Sequence, residues 1–197
     1  MYEISNLKVM NENFCKILFL LIPSIFVISC QKEEVPVPVD PVVSKWNLQI
    51  SGVTNNLKSI YFIDSYTGFA VGNSFPNDSN KFITTTNGGL NWIRKPMNFP
   101  GVSLIGVFFL NSYTGFAAGS GGTIIRTYDG GNNWTQLIVP VNNYLNAIKF
   151  FDENRGIVAG YDGLILITSN GGNSWQVSTS NTANSLFGLS ISGQNEA

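Results

Sequence analysis

The side chains that could do polar chemistry in the larger, C-terminal part of the chain are few. They include Arg94, Arg126 and Arg155, the aspartates Asp64, Asp129 and Asp152, and the glutamates Glu153 and Glu196. Arginines can hold a substrate carboxylate, a tyrosine paired with a glutamate can attack an anomeric carbon, and an aspartate can serve as acid and base. Together these would hydrolyse the glycosidic bond of an acidic sugar. Their positions argue against that use. Glu153 sits in a turn and Glu196 at the end of the sequence. Asp64 and Asp152 occupy the repeat position held elsewhere by Asn111, and Asp129 the position held by Asn87 and Asn170. A carboxylate that alternates with an amide across repeats is turn chemistry. The chain has no histidine, which removes the usual general base near neutral pH, the commonest metal ligand and every Ser-His or Cys-His arrangement. No dense carboxylate loop for calcium is present. No catalytic residue, metal or cofactor is expected, and the chain reads as a non-enzyme.

Cysteine chemistry is confined to the first part. Lys8 and Lys16 precede the apolar run Ile17 to Ile28, which Ser29-Cys30 closes. Twelve mainly apolar residues interrupted by Pro23 are too few for the roughly 20 of a membrane helix and suit the core of an export signal. Val27-Ile28-Ser29-Cys30 resembles the lipobox of bacterial lipoproteins, which implies that Cys30 becomes the lipidated first residue of the mature chain. Acyl chains contribute about 0.8 kcal/mol per buried methylene, so several suffice for stable anchoring. Cys15 leaves with the signal, and no intrachain disulfide is then available. Gln31-Lys32-Glu33-Glu34 resembles the acidic signal that sends some lipoproteins to the outer face of the outer membrane; the periplasmic face is the other address. Val35 to Pro41 alternates proline with β-branched residues, a semi-rigid polyproline II spacer. The expected organisation is a signal peptide over 1–29, a lipidated tether over 30–43 and a repeat domain over 44–197.

The chain is 44% hydrophobic and 13% aromatic, enough to bury a core of its own. Charged residues make up only 12%, and the net charge is -1. No basic field exists to hold a phosphate backbone, so nucleic acid is not an expected partner.

The elements that must position all of these residues are set by a repeat. Three segments align: Thr85-Thr86-Asn87-Gly88-Gly89-Leu90-Asn91-Trp92, Thr127-Tyr128-Asp129-Gly130-Gly131-Asn132-Asn133-Trp134 and Thr168-Ser169-Asn170-Gly171-Gly172-Asn173-Ser174-Trp175, with the tryptophans 42 and then 41 residues apart. Upstream of each lies a second phrase, Gly68-Phe69-Ala70-Val71-Gly72, Gly115-Phe116-Ala117-Ala118-Gly119 and Gly156-Ile157-Val158-Ala159-Gly160. A third phrase opens each unit at Leu57, Leu104, Leu145 and, incompletely, Leu186. The first unit is longer by an insertion, Asn73 to Asn80, where the others have a tight turn. In the second unit the strand-forming runs are about 104–110, 115–118, 123–127 and 134–139. Four short strands in a repeat of about 40 to 45 residues make the blade of a β-propeller.

The Thr-x-Asx-Gly-Gly-x-x-Trp element resembles the Asp-box, or BNR repeat, of sialidases and sortilin-type receptors. With the Leu-x-x-Ile-x-Phe and Gly-Phe-Ala-x-Gly phrases, residues 46–191 resemble the propeller family of photosystem II assembly and stability factors. The resemblance implies a structural role for Thr85, Asn87, Gly89, Trp92, Thr127, Asp129, Gly131, Trp134, Thr168, Asn170, Gly172 and Trp175. It also implies a scaffold that binds a protein; photosynthesis enters by this resemblance alone. Family members bind a membrane-protein precursor through an arginine-rich face, whereas Arg94, Arg126 and Arg155 fall at non-equivalent repeat positions and form no stripe.

The expected fold is all-β: three full four-stranded blades with an orphan strand at each end. Trp46 to Ile50 matches Trp134 to Ile138 and would be the outer strand of a preceding blade, while the chain stops just past the first strand of a fourth. Propellers usually have at least four blades. The expectation is therefore a truncated ring, with closure by a second copy, a homodimer, as the alternative. The expected function is a lipid-anchored, non-catalytic scaffold for another protein. A surface glycan-binding or adhesin module is the alternative, and a sialidase-type hydrolase the remote one. Phe75 and Asp78, in the one insertion that does not repeat, are the candidate contact residues.

Overall fold

A computed structural model describes residues 47–73 and 82–191 of this chain. Cys30, the tether, Trp46, and Phe75 and Asp78 lie outside the described residues.

The described residues form twelve strands in three antiparallel sheets of four, each following chain order. Blade one holds β1 (Leu57–Phe62), β2 (Gly68–Gly72), β3 (Phe82–Thr85) and β4 (Ile93–Arg94). Blade two holds β5 (Leu104–Phe109), β6 (Gly115–Gly119), β7 (Ile124–Thr127) and β8 (Thr135–Leu137). Blade three holds β9 (Leu145–Phe150), β10 (Gly156–Gly160), β11 (Ile165–Thr168) and β12 (Gln176–Ser178). The first strands β1, β5 and β9 pack beside one another and form the inner edge. Each carries a register shift near its start, where the pairing skips Lys58, Ile105 or Asn146. A bulge repeated at one position adds twist to every sheet in the same place.

Side chains alternate between the two faces of blade two with the period of a strand. Leu104, Val107, Phe109, Ala117 and Ile125 meet Phe69, Val71, Phe82 and Met97 of the blade-one repeat. Phe108, Phe116, Ala118, Ile124 and Leu137 turn the other way and meet Leu145, Ile148, Phe150, Val158, Leu166 and Trp175. Rings join the blades: Phe69 stacks on Phe109 with centroids 3.5 Å apart, and Phe116 stacks on Phe150 at 3.8 Å. Burying a phenylalanine contributes about 1.5–3 kcal/mol, and stacked pairs add about 0.5–1.5. The glycine that opens each second phrase has a packing reason. Phe62, Phe109 and Phe150 lie across Gly68, Gly115 and Gly156, where a Cβ would meet the ring.

The ends differ from simple strand continuation. Asn47 to Ile50 joins no sheet among the described residues, and Leu48 and Ile50 are exposed. Residues 186–191 also form no ladder. Leu186 is nevertheless tied at the inner edge, donating its N–H to the Gly160 carbonyl (2.9 Å) and accepting from Asn146 Nδ2 (2.8 Å). Among the described residues no second strand lies beside this segment to complete a ladder with it.

Candidate functional site

The three Thr-x-Asx-Gly-Gly corners are built alike. The threonine hydroxyl accepts the N–H of the second glycine, at 3.0 Å for Gly89, 2.9 Å for Gly131 and 3.0 Å for Gly172. It donates to the Asx side chain: Thr85 to Asn87 (2.9 Å), Thr127 to Asp129 (2.8 Å) and Thr168 to Asn170 (3.0 Å). The same Asx oxygen accepts the N–H of Asn91, Asn133 or Ser174. Both glycines of each pair have positive φ, 68° and 81° at Gly130 and Gly131 for instance, a conformation that side-chain-bearing residues rarely adopt. Asp129 is held down at about 2, first by the backbone N–H of Asn133 and then by the Asn133 and Thr127 side chains.

A second set of Asx side chains closes the turns between first and second strands. Asp64, Asn111 and Asp152 each accept the N–H groups two and three residues ahead, all between 2.6 and 2.9 Å. Asp152 is also held at about 2, first by the N–H of Arg155 and then by its guanidinium at 2.7 Å. Two of the three arginines are engaged, each with partners of its own. Arg155 pairs with Asp152, whereas Arg126 reaches from β7 to the Gly171 carbonyl (2.8 Å) and Asn173 Oδ1 (3.2 Å). No two of the three share an acceptor. Among the described residues no three metal-ligating side chains cluster.

The second and third corners are each held by the blade before them. Lys95, just after β4, donates to the Gly130 carbonyl (3.0 Å) and Asn132 Oδ1 (2.9 Å), as Arg126 does one blade on. The corner tryptophans stand edge-on to the phenylalanine that ends their own first strand: Trp92 on Phe62, Trp134 on Phe109 and Trp175 on Phe150, at about 6 Å. Trp134 also meets Phe82 of blade one at 5.2 Å. Lys149 is a charge at a repeat position where β1 and β5 carry a ring, whereas Lys95 aligns with Leu137 and Ser178 and breaks no repeated pattern.

Two open hollows remain. One of about 480 Å³ is lined by Met97, Phe99 and Trp134 beside Asn132 and Asn133, whose amides already bond within the corner. The other, of about 450 Å³, lies at the inner edge among Tyr61, Phe108, Lys149, Phe151, Ser190 and Ile191. Tyr61, Phe108 and Lys149 hold one repeat position on successive first strands. The Lys149 amine sits 4.7 Å from the Tyr61 ring centre and 5.1 Å from that of Phe108. Burial lowers the pKa of this amine and raises that of the Tyr61 phenol.

No protein-family model matches the chain, and no curated protein matches it. Solved structures do. "YCF48 from Cyanidioschyzon merolae" is 16% identical with a TM-score of 0.60, over 72% of this chain and 46% of that one. "YCF48 bound to D1 peptide" is 23% identical with a TM-score of 0.57, over 66% of this chain and 41% of that one. The fold is a partial β-propeller. The GH74 enzyme from Niastella koreensis is also similar, at 17% identity and a TM-score of 0.53, over 68% of this chain and 24% of that one. The chain thus aligns to less than half the length of either YCF48 structure, the photosystem II assembly factor, and to a smaller share of the hydrolase.

Proposed function

We propose that this chain is a non-catalytic binding scaffold of the bacterial cell envelope, anchored by lipid at Cys30 on the outer membrane, whose partner is another protein. The observation that carries the reading is the occupation of its polar groups. Asp64, Asp129 and Asp152 each accept two or more N–H groups inside a turn, and Arg126 and Arg155 are spent on a carbonyl and on Asp152. A carboxylate already held near 2 by such bonds is a poor proton carrier near neutral pH. A neighbour whose fold this chain shares was solved with a bound peptide, which favours a protein partner over a surface glycan.

Two measurements test this reading. Purified protein should release no fluorophore from a panel of aryl glycosides, including sialosides; turnover lost on Asp129→Asn would overturn it. Radiolabelled palmitate should enter the wild-type chain and not Cys30→Ser, and an unlabelled wild type would remove the anchor. The insertion with Phe75 and Asp78 is proposed as a contact loop. Deleting residues 73–80 should leave thermal unfolding within a few degrees while weakening capture of the partner from envelope extracts.

A further inference from the structure

Repetition separates structural positions from exceptional ones. At the next-to-last position of the first strands the repeat places Tyr61 and Phe108, whose rings meet at 4.9 Å. At the same position of β9 it places Lys149, half-buried. Replacing a ring with an ammonium here costs solvation of the charge, and cation–π contact with two rings returns only part of that cost. The amine has three donors, yet among the described residues it makes no ion pair and no hydrogen bond to an acceptor. Asp152, the carboxylate nearest in sequence, is engaged with Arg155. A cation left open on one side, with rings behind it, is the counterpart of an anion.

The walls state the rest of the ligand. Phe108, Phe150, Phe151, Leu189 and Ile191 are apolar, and the hydroxyl-bearing Ser190 and Tyr61 stand among the lining residues. The volume of about 450 Å³ lies in the ordinary range of ligand sites. A single positive charge suits a monoanion, and apolar walls oppose the hydration shell of a phosphate dianion. We infer that this inner-edge pocket is a binding site for an apolar monocarboxylate, with Lys149 receiving the carboxylate and the Tyr61, Phe108 and Phe151 rings receiving the apolar body. Such a group could be a free arylalkanoic acid or the C-terminal carboxylate of a peptide ending in an apolar residue. The inference rests on the chain being a binding module and names the chemistry of one of its sites.

The test uses the full chain and four probes in titration calorimetry: 3-phenylpropionate, its amide, and N-acetyl-Ala-Ala-Phe as free acid and as C-terminal amide. Both acids should bind, each at least tenfold more tightly than its amide, and Lys149→Met should remove that preference. The peptide acid binding more tightly than phenylpropionate would assign the site to chain termini, and the reverse order to free acids. Methylating the lysines with labelled formaldehyde gives a readout without a variant, because the Lys149 methyl signal should shift on adding acid and not on adding amide. Equal binding of acid and amide, or no binding of either acid up to about 10 mM, would overturn the inference. That failure would leave the scaffold reading intact, whereas glycoside turnover would sink the scaffold and not the pocket.

Discussion

Blades one and two carry nearly the same residues at the same repeat positions, and yet they differ in what those residues do. Ile60 is 58% exposed where Val107 is 4% and Ile148 is 2%. Phe62 is 38% exposed where Phe109 is 1% and Phe150 is 3%. The pairing of first and second strands is equivalent in all three blades. What differs is the neighbour. Blade two lays one face on blade one and the other on blade three, while among the described residues no sheet covers the outer face of blade one. Burial in this fold is therefore a property of pairs of blades, and an identical phenylalanine is core or surface according to what precedes it.

The sharpest way to break that comparison is to remove the same ring from each blade. Phe109→Ala should cost about 3–5 kcal/mol because it empties a stacked, fully packed site, and Phe62→Ala about 1–2 kcal/mol because more than a third of its surface already faces water. Urea unfolding followed by tryptophan fluorescence measures both. Equal costs would mean that the outer face of blade one is covered in solution.

The corner glycines give a smaller contrast of the same kind. Gly131 sits with φ +81° directly under the Phe82 ring of the preceding blade, whereas a Cβ on Gly89, at φ +88°, would meet only Trp92 and Gln49 at 3.5 Å or more. Gly89→Ala should cost about 1–2 kcal/mol from backbone strain alone. Gly131→Ala adds overpacking and should cost about 3 kcal/mol or more.

The smallest effect expected is chemical. Asp129 does with a carboxylate what Asn87 and Asn170 do with an amide. Its folded pKa of about 2 lies below the ordinary carboxylate value near 4, so the charged group adds stability above about pH 4 that is lost as the pH falls toward 2. Asp129→Asn, which keeps the oxygen that accepts the Asn133 N–H, should leave stability at pH 7 nearly unchanged and flatten the acid limb of the pH–stability curve. An unchanged acid limb would mean that the N–H bonds to Asp129 are not made in solution.

The repeat made much of this architecture legible. The strands of blade two at 104–109, 115–119, 124–127 and 135–137 fall within a residue or two of where the β-branched runs and Asx-Gly-Gly corners put them, because local turn chemistry and period-two burial are written in adjacent residues. The fourth strands came out shorter, only Ile93–Arg94 in blade one, since an outermost strand has one pairing partner and little cover. Contacts spanning a whole repeat were not legible: Lys95 finds Gly130 at 35 residues' distance, and Arg126 finds Gly171 at 45. Lys149 looked like any surface lysine until the first strands lay side by side and put it against Tyr61 and Phe108. Ring pairing does leave a trace in the sequence. Phe69 and Phe116 each precede a blade whose first strand ends in phenylalanine, whereas Ile157 precedes the run ending at Ile191.

Amide hydrogen exchange tests most directly the claim that a blade becomes core only when another closes over it. The β5–β6 ladder, from Leu104–Gly119 to Phe109–Gly115, should exchange only through global unfolding. The matching β1–β2 ladder, from Leu57–Gly72 to Phe62–Gly68, should exchange faster through local opening and keep its rate in denaturant too dilute to unfold the whole. Equal protection of the two ladders, with the same denaturant dependence, would contradict the account.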